Sequence, residues 1–224
     1  LAASAQGVAA TRPAAQDVPY PGTISLHVDA SDTVQGIFRV HESIPVKPGA
    51  LTLLYPQWIP GDHSPTGPIA MMAGLRLAAN GKPLAWKRDE FDVYAFRVDV
   101  PEGVSSLDVD FQYLSSRSDD ASFEITDRMM DFMWTSMSMY PAGYYMHGIT
   151  VAPSVTFPHG WQFGTALETA STSGDTVQFK PVNYENLVDS PIYAGRYFKR
   201  VDLAPGAAVP VHLDIVADLP KQLE

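Results

Sequence analysis

The chain has 224 residues, no cysteine and a formal net charge of −10, and 46% of its residues are hydrophobic. This composition supplies enough apolar side chains for a sizeable core and excludes a chain that is disordered throughout. The acidic balance argues against nucleic acid and anionic membranes as partners, because both require a basic surface. Without cysteine, disulfides, thiolate zinc sites and cysteine nucleophiles are excluded.

The two ends of the chain read as flanking segments. Residues 1–20 are rich in Ala, Pro and Gln, lack periodicity and are predicted to form a flexible tail. Within them, Leu1-Ala2-Ala3-Ser4-Ala5 ends in an Ala-x-Ala pattern, which fits either the remnant of a secretory signal or an ordinary Ala-rich tail. Residues 221–224 end in Leu223-Glu224, which resembles the remnant of an expression tag. We expect one β domain over residues 21–220, with no segment apolar enough to span a bilayer.

From Thr23 onward the sequence predicts strand after strand. Apolar and polar residues alternate with the period of two that places one face of a strand in a core. This alternation covers residues 24–28, 94–100, 107–113 and 209–215. Asn80-Gly81 separates two apolar runs and predicts a tight β-hairpin, because both residues tolerate positive φ.

Helix is scarce. A short turn at residues 184–188, stopped by Pro191, is the one convincing candidate. The sequence therefore predicts an all-β, single domain of packed or saddle-shaped, mostly antiparallel sheets with very little helix.

A search for catalytic motifs finds none. The nearest approach to the zinc-binding H-E-x-x-H pattern is His41-Glu42-Ser43-Ile44-Pro45, which ends in Pro and lies in strand-like sequence. No G-x-S-x-G elbow or phosphate-binding loop occurs, and the six histidines lack metal-ligand spacing. We predict no catalytic residue, no metal site and no cofactor in this chain.

Three segments are more particular than generic strands. Residues 55–68 form a loop with four prolines that carries Trp58, Asp62 and His63, and rigid loops on a sheet often present binding groups. Residues 137–147 are dense in Met and Tyr and include Tyr140 and Tyr144, which suits contact with a ligand or simple core filling. Residues 184–191 contain Asp189, which serves either as a binding group or as the cap of its own turn; the same choice applies to Asp62.

The apolar run that begins at Met129 predicts an exposed patch. Met133, Trp134, Met137 and Met139 are its candidate interdomain contacts, because so apolar a run is unusual for the surface of an isolated β domain.

Taken in order, the segments resemble the N-terminal domain of the glycyl aminopeptidase family of zinc metallopeptidases (metallopeptidase family 61). The resemblance extends from about Tyr20 to about Ala217 and depends on three motifs. These are Trp58-Ile59-Pro60-Gly61, Pro158-His159-Gly160-Trp161, and Tyr184 with Leu187-Val188-Asp189-Ser190-Pro191. Many family members follow the first motif with a small residue and Tyr, where this chain has Asp62-His63, so its specificity can differ from the glycyl type.

The resemblance implies a non-catalytic domain of a periplasmic or secreted aminopeptidase. A thermolysin-like catalytic domain of the same chain, absent here, would hold the zinc and cleave short peptides. The N-terminal domain would help shape the peptide-binding groove and fix the free amine, with Trp58, Asp62, His63, Tyr140, Tyr144 and Asp189 as candidate substrate-binding residues. A carboxylate suits that role, because an ammonium in a partly desolvated groove needs an anionic partner.

Two alternatives remain open. A self-contained β-sandwich module that binds carbohydrate would use Trp58, Trp134 and Trp161 as stacking platforms. A purely structural interaction domain would leave Asp62 and Asp189 without a function.

Overall fold

The computed structural model describes residues 12–115 and 125–224, and within them the protein is all-β with one short helix, as predicted. The helix, α1, spans Tyr184–Val188. In chain order the strands are β1 Thr23–Asp29, β2 Ile37–Pro45, β3 Gly49–Leu54, β4 Met72–Ala79, β5 Lys82–Leu84, β6 Trp86–Arg88, β7 Ala95–Val100, β8 Ser106–Leu114, β9 Met129–Phe132, β10 Tyr140–Pro141, β11 Thr150–Thr156, β12 Gln162–Gly164, β13 Thr169–Ser173, β14 Thr176–Phe179, β15 Val182–Asn183, β16 Ile192–Gly195, β17 Tyr197–Asp202 and β18 His212–Ala217. Short 3-10 turns occur at Ile69–Met71, Met146–Gly148 and Pro220–Leu223.

The strands form four sheets. The largest has the order β13-β14-β11-β1-β2-β8-β4-β5, with β15 beside β11, and its β1–β11 pair is parallel. The other three have the orders β10-β3-β7-β6, β12-β16-β9 and β17-β18. One continuous cluster of buried side chains joins the nine-stranded sheet to the four-stranded and three-stranded sheets. None of the helical segments in the described part of the chain has the length and apolar character needed to cross a membrane.

The hairpin predicted at Asn80-Gly81 is confirmed. These two residues link β4 to β5 and have φ of 50° and 72°, the left-handed conformation that a tight hairpin turn requires. The strand predicted over residues 209–215 begins later, at His212. Pro210 lacks a backbone N–H, which disfavours ladder pairing at this position, and Val209 and Val211 instead lie in the exposed connection before β18.

Chain segments before β1 already belong to the domain. The Gln16 amide donates to the Gly143 carbonyl at 3.0 Å, and the Tyr20 amide donates to the Gly148 carbonyl at 2.8 Å. Tyr20 is buried. The predicted tail at residues 1–20 thus contains a docked part from Gln16 onward, while residues 1–11 lie outside the described residues.

The predicted exposed patch is wrong for three of its four residues. Trp134, Met137 and Met139 have no exposed surface and belong to the domain's own core, and Met133 is half-buried. Phe132 packs edge-to-face on Trp134 at 5.3 Å between ring centroids, and Phe179 meets Trp134 at 6.5 Å. The apolar run fills the space between sheets, so these three side chains offer no surface to another domain.

The C-terminal hairpin β17–β18 exposes apolar side chains instead. It packs close to β12 and β16, since a Cβ on Gly164 would lie only 2.4 Å from the Asp214 carboxylate and one on Gly195 would lie 3.4 Å from the Val216 Cβ. Arg200 holds Asp214 through two hydrogen bonds of 2.6 and 2.7 Å. On the outside, Leu203, Val209, Val211 and Leu213 are between 46% and 73% exposed.

A buried carboxyl group lies in the centre of β2. This strand points Phe38, Val40, Glu42 and Ile44 into the core, so Glu42 occupies a position that the alternation reserves for an apolar residue. Its Oε1 accepts from the Met139 amide at 2.6 Å, and its Oε2 has no hydrogen-bond partner among the residues that the structure describes. Burial raises the pKa of Glu42 well above its usual range, and the Met139 hydrogen bond opposes this effect. Adjacent His41 faces the solvent and contacts Asp110 at 2.8 Å.

We expect Glu42→Gln to make the protein more stable than the wild type at alkaline pH. The folded protein holds the Glu42 proton more tightly than the unfolded chain, whose carboxyl titrates near 4.5. As pH rises above that value, the unfolded chain binds fewer protons, so the wild type loses stability by at most about 1.4 kcal/mol per pH unit. Gln can keep the contact with the Met139 amide and does not titrate.

The measurement is chemical denaturation of both proteins between pH 4 and pH 9. Glu102→Gln, in the exposed turn between β7 and β8, is the matched control and should follow the wild-type profile. Parallel wild-type and Glu42→Gln profiles would show that Glu42 is ionised in the folded protein.

Candidate functional site

The three segments selected from the sequence meet at one buried strap, Trp134–Met139. The Tyr55 hydroxyl, at the start of the first segment, donates to the Ser136 carbonyl at 3.0 Å. The Ser138 and Tyr184 hydroxyls are 2.7 Å apart. Trp134 Nε1 donates to the Ser190 carbonyl at 2.9 Å. All of these groups are buried, and burial raises the pKa of Tyr184, so its phenol is neutral.

The first segment is a closed loop, which we name the proline loop (residues 55–68). The Gly67 amide donates to the Gln57 carbonyl at 3.0 Å, and the Tyr94 hydroxyl donates to the Gly67 carbonyl at 3.0 Å. A Cβ at Gly67 would lie 2.0 Å from the Pro56 carbonyl oxygen. Only glycine therefore fits where the two ends of the loop approach each other.

The predicted binding residues of the proline loop are all exposed. Trp58 is 63% exposed, and Asp62 and His63 are open to solvent as well. The Asp62 carboxylate accepts from the Thr66 hydroxyl, and the Asp62 amide donates to the Ile59 carbonyl at 3.0 Å. Asp62 thus stabilises its own turn while remaining accessible.

A pocket of about 360 Å³, the tyrosine pocket, gathers residues from the second and third segments. The pairing of Tyr140 with Leu54 places it beside the strand that leads into the proline loop. The lining includes Arg12, Leu54, Tyr140, Tyr144, Tyr145, His147 and Glu185. The structure therefore brings together the predicted residues Tyr140 and Tyr144 and adds a carboxylate, Glu185.

Charged groups surround the tyrosine pocket. Arg12 lies 3.7 Å from Asp92, and His147 Nε2 lies 2.7 Å from Asp17. Burial raises the pKa of Tyr140; Arg12 opposes this shift and Asp92 adds to it. Tyr140 is therefore a neutral phenol that can donate or accept a hydrogen bond.

Asp189 lies on the other side of α1. It ends the helix, and its amide donates to the Glu185 carbonyl at 3.3 Å. Together with Asn186 and Ser190 it lines a separate pocket of about 330 Å³ that also contains the Lys180–Glu168 ion pair. The structure thus separates Asp189 from Tyr140 and Tyr144 across one short helix.

Glu185 was missed by the sequence reasoning, although a signal for it exists. Tyr184, Leu187 and Val188 are the buried residues of α1, which leaves Glu185 and Asn186 on its outer side. Applying helical periodicity to this five-residue segment would have selected Glu185 as an outward carboxylate next to a buried tyrosine.

The stacking platforms of the carbohydrate alternative are not available together. Trp134 is buried, Trp161 is half-buried and Trp58 is exposed. Across residues 12–115 and 125–224, no three or more His, Asp or Glu side chains are grouped so that they could hold a metal ion.

Comparison with known proteins identifies the family. Residues 25–196 match the family model of the peptidase M61 N-terminal domain. A search of curated protein sequences gives no match. The fold is similar to that of an aminopeptidase N family protein from Idiomarina loihiensis, with a TM-score of 0.75, 18% identity, and coverage of 87% of this chain and 32% of that one. An M1 zinc metallopeptidase from Deinococcus radiodurans gives a TM-score of 0.48 and 14% identity, with coverage of 88% of this chain and 46% of that one.

The chain spans about a third of the length of the Idiomarina protein. The family match covers most of the described strands, from β1 to β16, and includes the proline loop, the buried strap and α1. The chain therefore belongs to the peptidase M61 N-terminal domain family.

Proposed function

We propose that this chain is the non-catalytic N-terminal domain of an exported zinc aminopeptidase. In that enzyme it packs on a thermolysin-like catalytic domain of the same chain and shapes one side of the groove that binds short peptides. The observation that carries the proposal is the family match over residues 25–196, in a chain that spans a third of its structural relative. In the catalytic domain, a bound zinc would supply Lewis-acid activation of the attacking water.

The exposed outer side of the β17–β18 hairpin supports the packing part of the proposal. These strands begin at Tyr197, directly after the family match ends at residue 196. Leu213 on β18 and Leu203, Val209 and Val211 in the connection between the strands are exposed apolar side chains, which a neighbouring domain would bury favourably. In this proposal the hairpin makes the interdomain contact that the sequence predicted for the apolar run beginning at Met129.

The arrangement at the C-terminal end of β3 supports the groove. Leu54 pairs with Tyr140 in the tyrosine pocket, and the chain then enters the proline loop that carries Trp58, Asp62 and His63. The loop that presents these exposed groups begins at Tyr55, directly after Leu54 in the pocket wall, which suits an extended peptide that follows both. Asp189, on the far side of α1, would contact only a substrate that passes over that helix.

Activity should require the longer protein and depend on the hairpin surface. We expect this chain alone to hydrolyse neither glycine nor alanine p-nitroanilide, and the longer protein to hydrolyse at least one of them with one bound zinc.

In the longer protein, Leu213→Asp should loosen the domain contact, because it buries an unpaired carboxylate. Faster proteolysis between residues 196 and 220 would report this. Val34→Asp, on an 80% exposed turn residue, is the control. Chelator-sensitive activity of this chain alone, tracking one zinc equivalent, would contradict the proposal.

The closed shape of the proline loop should matter for substrate binding. Gly67→Ala forces the loop open against the Pro56 carbonyl, at a cost of about 1–3 kcal/mol. In the longer protein we expect a KM several-fold higher with kcat nearly unchanged, because the substitution moves binding groups and not the zinc site. Ser64→Ala, in the same loop, should leave KM at the wild-type value. Faster amide exchange in the loop would show that Gly67→Ala opens it. If KM nevertheless stays at the wild-type value, the loop does not contribute to substrate binding.

A further inference from the structure

The tyrosine pocket contains one carboxylate without a partner. Glu185 is the second residue of α1, its side chain is exposed and lines the pocket, and it forms no ion pair or side-chain hydrogen bond with any residue of 12–115 or 125–224. The other carboxylates around the pocket are engaged: Asp17 with His147, and Asp92 with Arg12. Glu185 is thus the acceptor that remains available to a ligand.

The aromatic walls of the pocket are held in place by neighbouring rings. Tyr144 lies edge-to-face on Tyr20, with ring centroids 4.9 Å apart, and Tyr140 lies 5.2 Å from Tyr184. Tyr20 and Tyr184 are both buried. Tyr145 stacks on His147 at 5.7 Å. Rings fixed in this way form a preorganised wall, and aromatic faces attract cations.

The charges near the pocket favour a cation over an anion. Among the described residues that line the pocket, Glu185 supplies a carboxylate and Arg12 a guanidinium. Asp92 and Asp17 are outside the lining and add two carboxylates through their contacts with Arg12 and His147. His147 is already bonded to Asp17. Because Arg12 lies against Asp92, its charge is partly offset, and Glu185 gives the pocket an excess of negative charge.

We propose that the tyrosine pocket binds the primary ammonium group of a peptide, with Glu185 as its counter-ion and Tyr140 and Tyr144 as its walls. A pocket of about 360 Å³ accommodates one amino-acid residue. The inference rests on the proposed function for the peptide as ligand, and it assigns the receiving carboxylate to Glu185 in place of Asp62 or Asp189. An ammonium can come from an amino terminus or from a lysine side chain, and the two sources are separable.

The test is an NMR titration of this chain at pH 7 with three probes. Alanine amide offers an α-ammonium, Nα-acetyl-lysine amide offers a side-chain ammonium, and N-acetylalanine amide offers neither. We expect alanine amide to shift the resonances of Tyr144 and Gly143 saturably, and the acetylated alanine to leave them unchanged. Saturable shifts with the lysine probe alone would support the ammonium site and assign it to lysine side chains. Equal binding of the uncharged probe would overturn the proposal.

Substitutions of the two opposite charges make the assignment sharper. Glu185→Gln should weaken alanine amide binding at least about tenfold, and Arg12→Gln should strengthen it, since a repelling charge is removed. Glu102→Gln, an exposed carboxylate in the turn at the far end of β7, is the matched control and should bind like the wild type. The reverse signs, with Glu185→Gln tighter and Arg12→Gln weaker, would make the pocket an anion site and overturn the proposal.

The ammonium site and the proposed function can be refuted separately. A longer protein without zinc peptidase activity would refute the aminopeptidase proposal and leave ammonium binding by this chain intact. A peptidase whose N-terminal domain binds none of the ammonium probes would keep the proposed function and remove Glu185 from it.

Discussion

The arrangement of the domain depends on hydrogen bonds to the buried strap Trp134–Met139. Tyr55, Tyr184 and Glu42 reach it from different elements, and Trp134 reaches out from it to Ser190. The strap is almost fully buried although it contains Thr135, Ser136 and Ser138. Buried polar groups of this kind are costly unless they are paired, so these bonds fix the positions of the segments that make them. The proline loop begins at Tyr55 and α1 begins at Tyr184, both of which are bound to the strap. Tyr140, in the wall of the tyrosine pocket, is the next residue after the strap.

Glu42 shows what this arrangement requires of the core. Every second side chain of β2 packs inward, and at this one position the core must supply an acceptor for the Met139 amide. An apolar residue there would leave that amide unpaired, at a cost of about 1–3 kcal/mol. The carboxyl meets this need with one oxygen, and within residues 12–115 and 125–224 the other oxygen has no hydrogen-bond partner. The buried Glu42 carboxyl, whose pKa is raised by burial, is therefore part of the structure that positions Tyr140, the residue that follows the strap.

Much of the fold follows from local patterns in the sequence. The alternation in β1 and β8, the Asn80-Gly81 turn and the short α1 are set by period, φ preference and Pro191, all of which act within a few residues. Burial of Trp134, Met137 and Met139 could not be derived in this way, because it depends on which sheets close over the strap. The tyrosine pocket is the intermediate case: Tyr140 and Tyr144 stand out by composition, whereas Glu185 joins the lining only through packing of α1 against residues 146–148. Asp62 and Asp189, prominent by motif, are not among the residues that line that pocket.

The claim that the strap joins the three segments into one unit is tested most directly by a double-mutant cycle of Tyr55→Phe and Tyr184→Phe. Each change removes one hydroxyl that anchors the strap, at Ser136 and at Ser138 respectively. Both anchors hold the same short segment, so the account predicts a coupling free energy of unfolding of about 0.5 kcal/mol or more, determined by denaturant titration. Additive effects of the two substitutions, with no coupling beyond experimental error, would contradict it.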